Sequence, residues 1–296
     1  MDIDIENCFE LLLEQIEPRD SDYNSYESHR NSITKRLQAV FLTNKVELIG
    51  SFRRGTAISG SSDIDLILVL SKSEVVWGER WKSSKTILNN LRDQLRNRYW
   101  NTYVGIDKQA VTANFADGKH PVDVVPAVYL DNGGVMNYPI FAIPDGDGNW
   151  MQTSPHAHNK FIKDADTLSG GTLKQTAKLI KFWRECRTPN IPLNMFYMEM
   201  VLANEEICQE DMSLGLCFNN ALAHLANSDC EILDDPVEVS GEIEAANSEA
   251  KIKILRQAAQ TFADKAYNAL IAENNDDTEE AFRLWDLIFN GYFPDN

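Results

Sequence analysis

The sequence predicts an α+β protein of two lobes, a mixed-sheet lobe over residues 1–150 and a helical lobe over residues 151–296. Three observations carry that prediction. Apolar runs of strand length, DIDLILVL (63–70) and HPVDVVPAV (120–128), lie before residue 150. Beyond Trp150 they give way to helical spacing, starting at Ser154-Pro155, an N-cap followed by proline at the first helical position. A chain of 296 residues with 43% hydrophobic side chains can bury one large core or two modest ones, which excludes whole-chain disorder.

Taken in order, residues 4–16 read as a short amphipathic helix closed before Pro18. Ser21 or Asp22 caps a long helix from Tyr23 to Leu42, with Ile33, Leu37, Val40 and Phe41 at helical spacing. VELIGS (46–51) reads as a strand, FRRGTAI as a turn into a brief helix, and SGSS as a loop. DIDLILVL is a strand buried on both faces, and 83–100 a helix with Ile87, Leu91, Leu95 and Tyr99 along one side. QAVTANFADGKHPVDVVPAVYL reads as a hairpin turning at Asp117-Gly118. In the second half, 172–187 and NMFYMEMVLANEEI (194–207) are helices; the rest is helical or acidic loop, including LDDPVEVSGEIEAANSEA and AENNDDTEEAF. No internal repeat occurs.

A formal net charge of −17 opposes a phosphate backbone, so no tight nucleic-acid binding is expected. The five cysteines form no CxxC pair and point to free thiols in a reducing compartment. MDIDIENCFELLLEQIEP carries acids where a signal peptide needs bases, and no apolar stretch has the length of a membrane span. These features predict a cytoplasmic protein without a membrane partner.

The stretch richest in chemistry is GSFRRGTAISGSSDIDLILVL (50–70). On a strand, residues two apart point the same way, so Asp63 and Asp65 share a face while Ile64 turns inward. Two adjacent carboxylates repel, and a divalent cation resolves the conflict. Magnesium suits oxygen ligands and takes one or two carboxylates plus substrate phosphates. Asp123, inside an apolar strand, is a third acid; Gly50-Ser51 offers flexible backbone and a hydroxyl for a phosphate. The bland reading, aspartates that cap strands or face solvent, explains an isolated DxD but not this set.

The order GS, DxD, third acid resembles the polymerase-β-like nucleotidyltransferases. That resemblance implies a catalytic core with a long N-terminal spine helix. It also implies two magnesium ions, or manganese in their place, held by Asp63, Asp65 and Asp123 as metal-binding and catalytic residues. Gly50 and Ser51 would steady the triphosphate. IPDGDGNWMQTSPHAH (143–158) is similar to the interlobe segment of the bacterial cGAS/DncV-like nucleotidyltransferases. AKLIKFWR (177–184) resembles the lysine-bearing helix of oligoadenylate synthases and cyclic GMP-AMP synthases, which assigns Lys178 and Lys181 to the donor triphosphate. Lys174, Lys178 and Lys181 also recur at i, i+4, i+7 as a basic stripe, for which a solvated helix face is the bland alternative that the Trp183 match outweighs. NMFYMEM (194–200) is similar to the segment whose aromatic stacks on the donor base, here Phe196 with Tyr197 as the alternative; Met195 departs from the family's usual Ser or Gln. His156-x-His158 reads as a helix's first turn rather than a metal site, and Arg53 and Arg54 as phosphate contacts or partners of acids on the spine helix.

The implied activity is synthesis of a cyclic di- or trinucleotide from nucleoside triphosphates, ATP with GTP or a pyrimidine nucleotide, with release of pyrophosphate. In bacterial antiphage signalling such a product reaches an effector, and a regulatory or peptide-sensing protein governs the enzyme. The rival readings are a linear oligonucleotide, tRNA or protein nucleotidyltransferase on the same core, and a catalytically silent nucleotide-binding protein. The intact Asp63, Asp65 and Asp123 argue against the silent one.

Overall fold

The computed structural model describes residues 4–115 and 120–295. The chain packs as two compact units, Pro18–Asn159 with Val237–Ser240, and Met1–Glu17 with Lys160–Pro236 and Gly241–Asn296. The sequence reading drew its line after residue 150. The structure closes the strand-rich unit at Asn159 and counts the first helix with the helical unit.

The strand-rich unit opens with α2 (Asp20–Val40), after α1 (Ile5–Ile16) of the other unit. It continues with β1 (Thr43–Leu48), α3 (Gly50–Arg54), β2 (Ile64–Leu70), α4 (Lys72–Val75), β3 (Val76–Trp77), β4 (Arg80–Trp81) and α5 (Ser84–Arg98). Then come β5 (Tyr103–Asp107), β6 (Ala110–Asn114), β7 (Val122–Gly133), β8 (Tyr138–Pro144), β9 (Trp150–Thr153) and the first turn of α6 (Pro155–Leu168). The main path of the sheet runs β1-β2-β7-β6-β5, and β8 joins β7 to β9. β2 and β7 pair in parallel; the other neighbours are antiparallel.

Period-two alternation divides β2 between two cores. Ile64, Leu66, Leu68 and Leu70 pack with Ile33 and Leu37 of α2 and Ile87, Leu91 and Leu95 of α5. Ile67 and Val69 pack with Ala127, Phe141 and Ile143. Both faces are therefore covered, as the unbroken apolar run requires.

Several boundaries differ from the sequence reading. α2 begins at Asp20, and Asp22 is inside it: its Oδ2 accepts the Arg19 backbone N–H at 2.9 Å, so this acid reaches back to the cap rather than being the cap. The first strand is Thr43–Leu48, not 46–51. Gly50 has a φ of +68°, which takes the chain out of the strand, and Gly50-Ser51 opens α3. β6 and β7 do pair as the predicted hairpin arms, while Asp117-Gly118 lies outside the described residues. β5, β8 and β9 have no counterpart in the reading; β5 exposes Tyr103 and Ile106 and so lacks a simple apolar alternation. Helix α6 starts at Pro155 as expected, and the Ser154 hydroxyl donates to the Pro139 carbonyl at 2.8 Å.

The helical unit contains the rest of α6, α7 (Thr172–Glu185), α8 (Met195–Asn204), α9 (Leu214–Asn227), the pair β10 (Leu233–Asp234) and β11 (Glu242–Ile243), α10 (Glu249–Asn274) and α11 (Thr278–Ile288). Its core is aromatic. Phe9 of α1 meets Trp285 edge-on with centroids 4.9 Å apart and Phe293 at 5.0 Å, and Phe218 lies 5.2 Å from Phe289. The buried face of α1, Cys8, Phe9 and Leu12, therefore belongs to this core, which explains why the first helix joins the second unit.

Candidate active site

The parallel pairing of β2 with β7 sets Asp65 directly opposite Asp123. Both lie on the face that carries Ile67, Val69, Val125 and Ala127, but at the strand starts. Neighbouring strands lie about 4.8 Å apart, so two carboxylates project side by side. Asp63 precedes the first residue of β2 and is exposed, whereas Asp65 and Asp123 are half-buried.

Two features show how closely this corner is built. A methyl group on Gly50 would lie 1.7 Å from Asp65 Oδ2, and the positive φ of Gly50 itself disfavours a side chain. The neighbouring Ile49 N–H donates to the Asp65 carbonyl at 2.9 Å, which ties the entry of α3 to β2. On the other strand, Asp123 Oδ1 is buried without a hydrogen-bond partner. Burial pushes the Asp123 carboxyl above its ordinary value; the hydroxyl of Thr112, its cross-strand partner on β6, pulls the other way, and the charge of Asp107 adds to the rise.

An orphaned, partly desolvated carboxylate oxygen beside a second carboxylate is the donor set a hard divalent cation suits. Among the described residues no three His, Cys, Asp or Glu side chains close around one point as a preformed cage.

The 120–121 stretch flanks Asp63 on both sides, a feature invisible in the sequence. His120 Nδ1 lies 2.8 Å from the Ser62 carbonyl, and the Ile64 N–H donates to the Pro121 carbonyl at 2.9 Å. His120 Nε2 faces Asp22 Oδ1 at 3.6 Å, and Asp22 Oδ2 accepts the Ser59 hydroxyl at 2.9 Å. Burial opposes ionisation of Asp22, yet the Arg19 N–H, the Ser59 hydroxyl and His120 together hold its carboxyl below the usual value. Thr112 was missed for a similar reason: its place opposite Asp123 depends on a hairpin register that composition does not reveal.

In the helical unit the expected basic stripe of α7 is largely engaged. Lys174 pairs with Asp166 at 3.0 Å, Lys178 pairs with Glu17, and Lys181 is buried. Phe196 is half-buried in the first turn of α8. The alternative, Tyr197, is overturned: it is 1% exposed and its hydroxyl donates to the Glu231 carbonyl at 2.8 Å, so its ring is core. In the strand-rich unit His156 sits in the first turn of α6 as expected and contacts Glu47 at 3.3 Å, with burial lowering its pKa. Arg53 is exposed.

Residues 3–166 match the model of the Second Messenger Oligonucleotide or Dinucleotide Synthetase domain. The chain is 23% identical over 290 residues to a probable cyclic nucleotide synthase of Bacillus cereus (strain VD146), spanning 88% of this chain and 86% of that one. It is 28% identical over 160 residues to the cyclic AMP-AMP-AMP synthase of Escherichia coli (strain MS 115-1), over 52% of this chain and 47% of the relative. Solved structures share the fold. E. coli MS115-1 CdnC with ATP superposes with a TM-score of 0.74 at 19% identity, over 99% of this chain and 100% of that chain. The same enzyme in complex with HORMA-deltaN gives 0.73 at 18%, over 98% of each chain. Bradyrhizobium diazoefficiens CdnG with GTP gives 0.71 at 12%, over 97% and 99%. Among the described residues no helix is long and apolar enough to cross a membrane.

Proposed function

The chain belongs to the Second Messenger Oligonucleotide or Dinucleotide Synthetase family, nucleotidyltransferases that make cyclic oligonucleotides, and on that premise we propose that Asp63, Asp65 and Asp123 are its catalytic and metal-binding residues. The observation that carries this reading is the register that sets Asp65 opposite Asp123, with Gly50 against Asp65. Two magnesium ions, or manganese, held by the three carboxylates would supply positive charge to the triphosphate and acidify the attacking hydroxyl.

The chain's own groups divide the remaining work. A ribose 2′- or 3′-oxygen of one nucleotide forms a bond to the α-phosphorus of another, and the bond from that phosphorus to the bridging oxygen breaks, releasing pyrophosphate. Asp123, holding the ion beneath the acceptor hydroxyl, helps remove its proton. The second ring-closing transfer repeats the same exchange on a linear intermediate. Gly50 and Ser51 bind phosphate oxygens, Lys178 and Lys181 are assigned to the triphosphate, and Phe196 to the base, where stacking contributes about 1–3 kcal/mol. Since Lys178 is paired with Glu17, phosphate binding there exchanges one anion for another.

The product is a cyclic di- or trinucleotide that reaches an effector in bacterial antiphage signalling, with ATP as one substrate. The E. coli relative named for a cyclic AMP-AMP-AMP product supports the trinucleotide form. The HORMA-deltaN complex of CdnC supports a regulatory protein partner. Synthesis takes place in the cytoplasm.

The test is a reaction of the purified protein with ATP, GTP, CTP, UTP and magnesium, followed by pyrophosphate assay, phosphatase digestion and mass spectrometry. Pyrophosphate and a phosphatase-resistant cyclic nucleotide are expected. Undiminished turnover by the Asp63→Asn, Asp65→Asn double variant would overturn the assignment of the acids.

A further inference from the structure

We propose that His120 is a positioning residue for Asp63, acting by holding the peptide that joins Ser62 to Asp63. The inference rests on the assignment of Asp63 to metal binding made above. His120 is 6% exposed, and its Nδ1 lies 2.8 Å from the Ser62 carbonyl oxygen. A carbonyl can only accept, so Nδ1 carries a proton and donates it there. The peptide unit is planar, so fixing that oxygen also fixes the plane that ends at the Asp63 Cα.

On the far side of Asp63, the Ile64 N–H is bound to the Pro121 carbonyl at 2.9 Å. One two-residue stretch thus grips the backbone immediately before and immediately after Asp63. The second grip is the start of the β2–β7 ladder, which any sequence could make. The first needs this side chain. The same stretch runs directly into β7, with Asp123 three residues beyond His120. His120 therefore locks the position of the exposed acid to that of the third acid.

The ring is itself held from behind. Phe52 meets it edge-on at 5.6 Å, and Nε2 faces Asp22 at 3.6 Å. Asp22 accepts Ser59 Oγ–H and the Arg19 N–H, both at 2.9 Å. The loop's own bond, Ile58 N–H to Ser62 Oγ at 2.9 Å, closes residues 58–62 around the Ser62 side chain, while His120 binds the Ser62 backbone. Groups that orient a metal ligand in this indirect way typically change metal affinity by about 10–100-fold when removed.

The experiment measures manganese binding to the intact protein by electron paramagnetic resonance, without nucleotide turnover, alongside the magnesium dependence of kcat and KM. His120→Ala is expected to weaken manganese binding at least about tenfold. It should also raise the magnesium needed for half-maximal rate and lower kcat, with nucleotide KM little changed at saturating metal. His120→Asn, whose amide nitrogen stands where Nδ1 stood, should recover most of the affinity; His120→Gln, which places its donor at the Nε2 position, should not. The Asn–Gln contrast decides the matter if the alanine variant fails to fold. A lower melting temperature with unchanged manganese affinity, or equal behaviour of Asn and Gln, overturns the proposal. Absence of manganese binding by the unaltered protein overturns the metal assignment itself and this inference with it.

Discussion

At the starts of β2 and β7 the strand-rich unit keeps a buried carboxylate oxygen without a donor and a glycine with no room for a methyl group. The helical unit instead closes Phe9, Phe218, Trp285, Phe289 and Phe293 on one another, largely edge to face. One interior stores electrostatic cost where a ligand can relieve it; the other is filled with aromatic surface that needs nothing further. Stability and chemistry should therefore respond to different residues.

The largest expected separation is in activity. Asp63→Asn with Asp65→Asn should lower pyrophosphate release at least about 10³-fold while leaving the circular dichroism spectrum unchanged. Trp285→Ala should do the reverse. It removes a ring in contact with Phe9, Phe218 and Phe293 and the N–H that donates to Glu273 at 2.7 Å, costing about 3–5 kcal/mol in denaturant unfolding while the folded fraction keeps its kcat. Equal loss of activity and stability in both variants would erase the contrast. Gly50→Ala tests where the two properties meet: the new methyl must displace the Asp65 carboxylate, and kcat should fall about 100-fold, as misplacement by an ångström can cause.

Two smaller effects sharpen the picture. Lys178→Ala should raise nucleotide KM about fivefold, near 1 kcal/mol, whereas Glu17→Gln should lower it by releasing the same lysine; shifts of equal sign would remove Lys178 from the substrate. Asp123→Asn should raise the melting temperature of the metal-free protein by about 2–4 °C at neutral pH, as roughly 1 kcal/mol does for a chain of this size. The sign follows from linkage. Asp123 holds its proton more tightly folded than unfolded, so its ionised form penalises the fold above the folded pKa. That penalty fades as the pH falls into the ordinary carboxylate range, and the gap between the two melting curves should close there.

Much of the strand-rich unit was legible in advance because its signals are local. An unbroken apolar run demands cover on both faces, and β2 has it; a Gly-Ser pair, a DxD and a distant Asp carry their chemistry in their residue types. What stayed hidden depends on pairing over distance. The amphipathic face of residues 5–16 announces a helix but not that its partners are Trp285 and Phe293. The lysines of α7 read as a basic stripe for a triphosphate, and nothing in that spacing shows that Glu17 or Asp166 stands opposite. His120 could not be singled out either, since its importance lies in a carbonyl 58 residues away.

The parallel partnership of β2 and β7 also bears on how the protein comes into being. Strands that run the same way cannot be joined by a tight turn, and here the intervening excursion includes α4, α5, β5 and β6. A chain emerging from the ribosome cannot bring Asp65 beside Asp123 until that whole detour has been made and folded back. A nascent chain that stops short of β7 therefore lacks the pairing on which the proposed metal site rests.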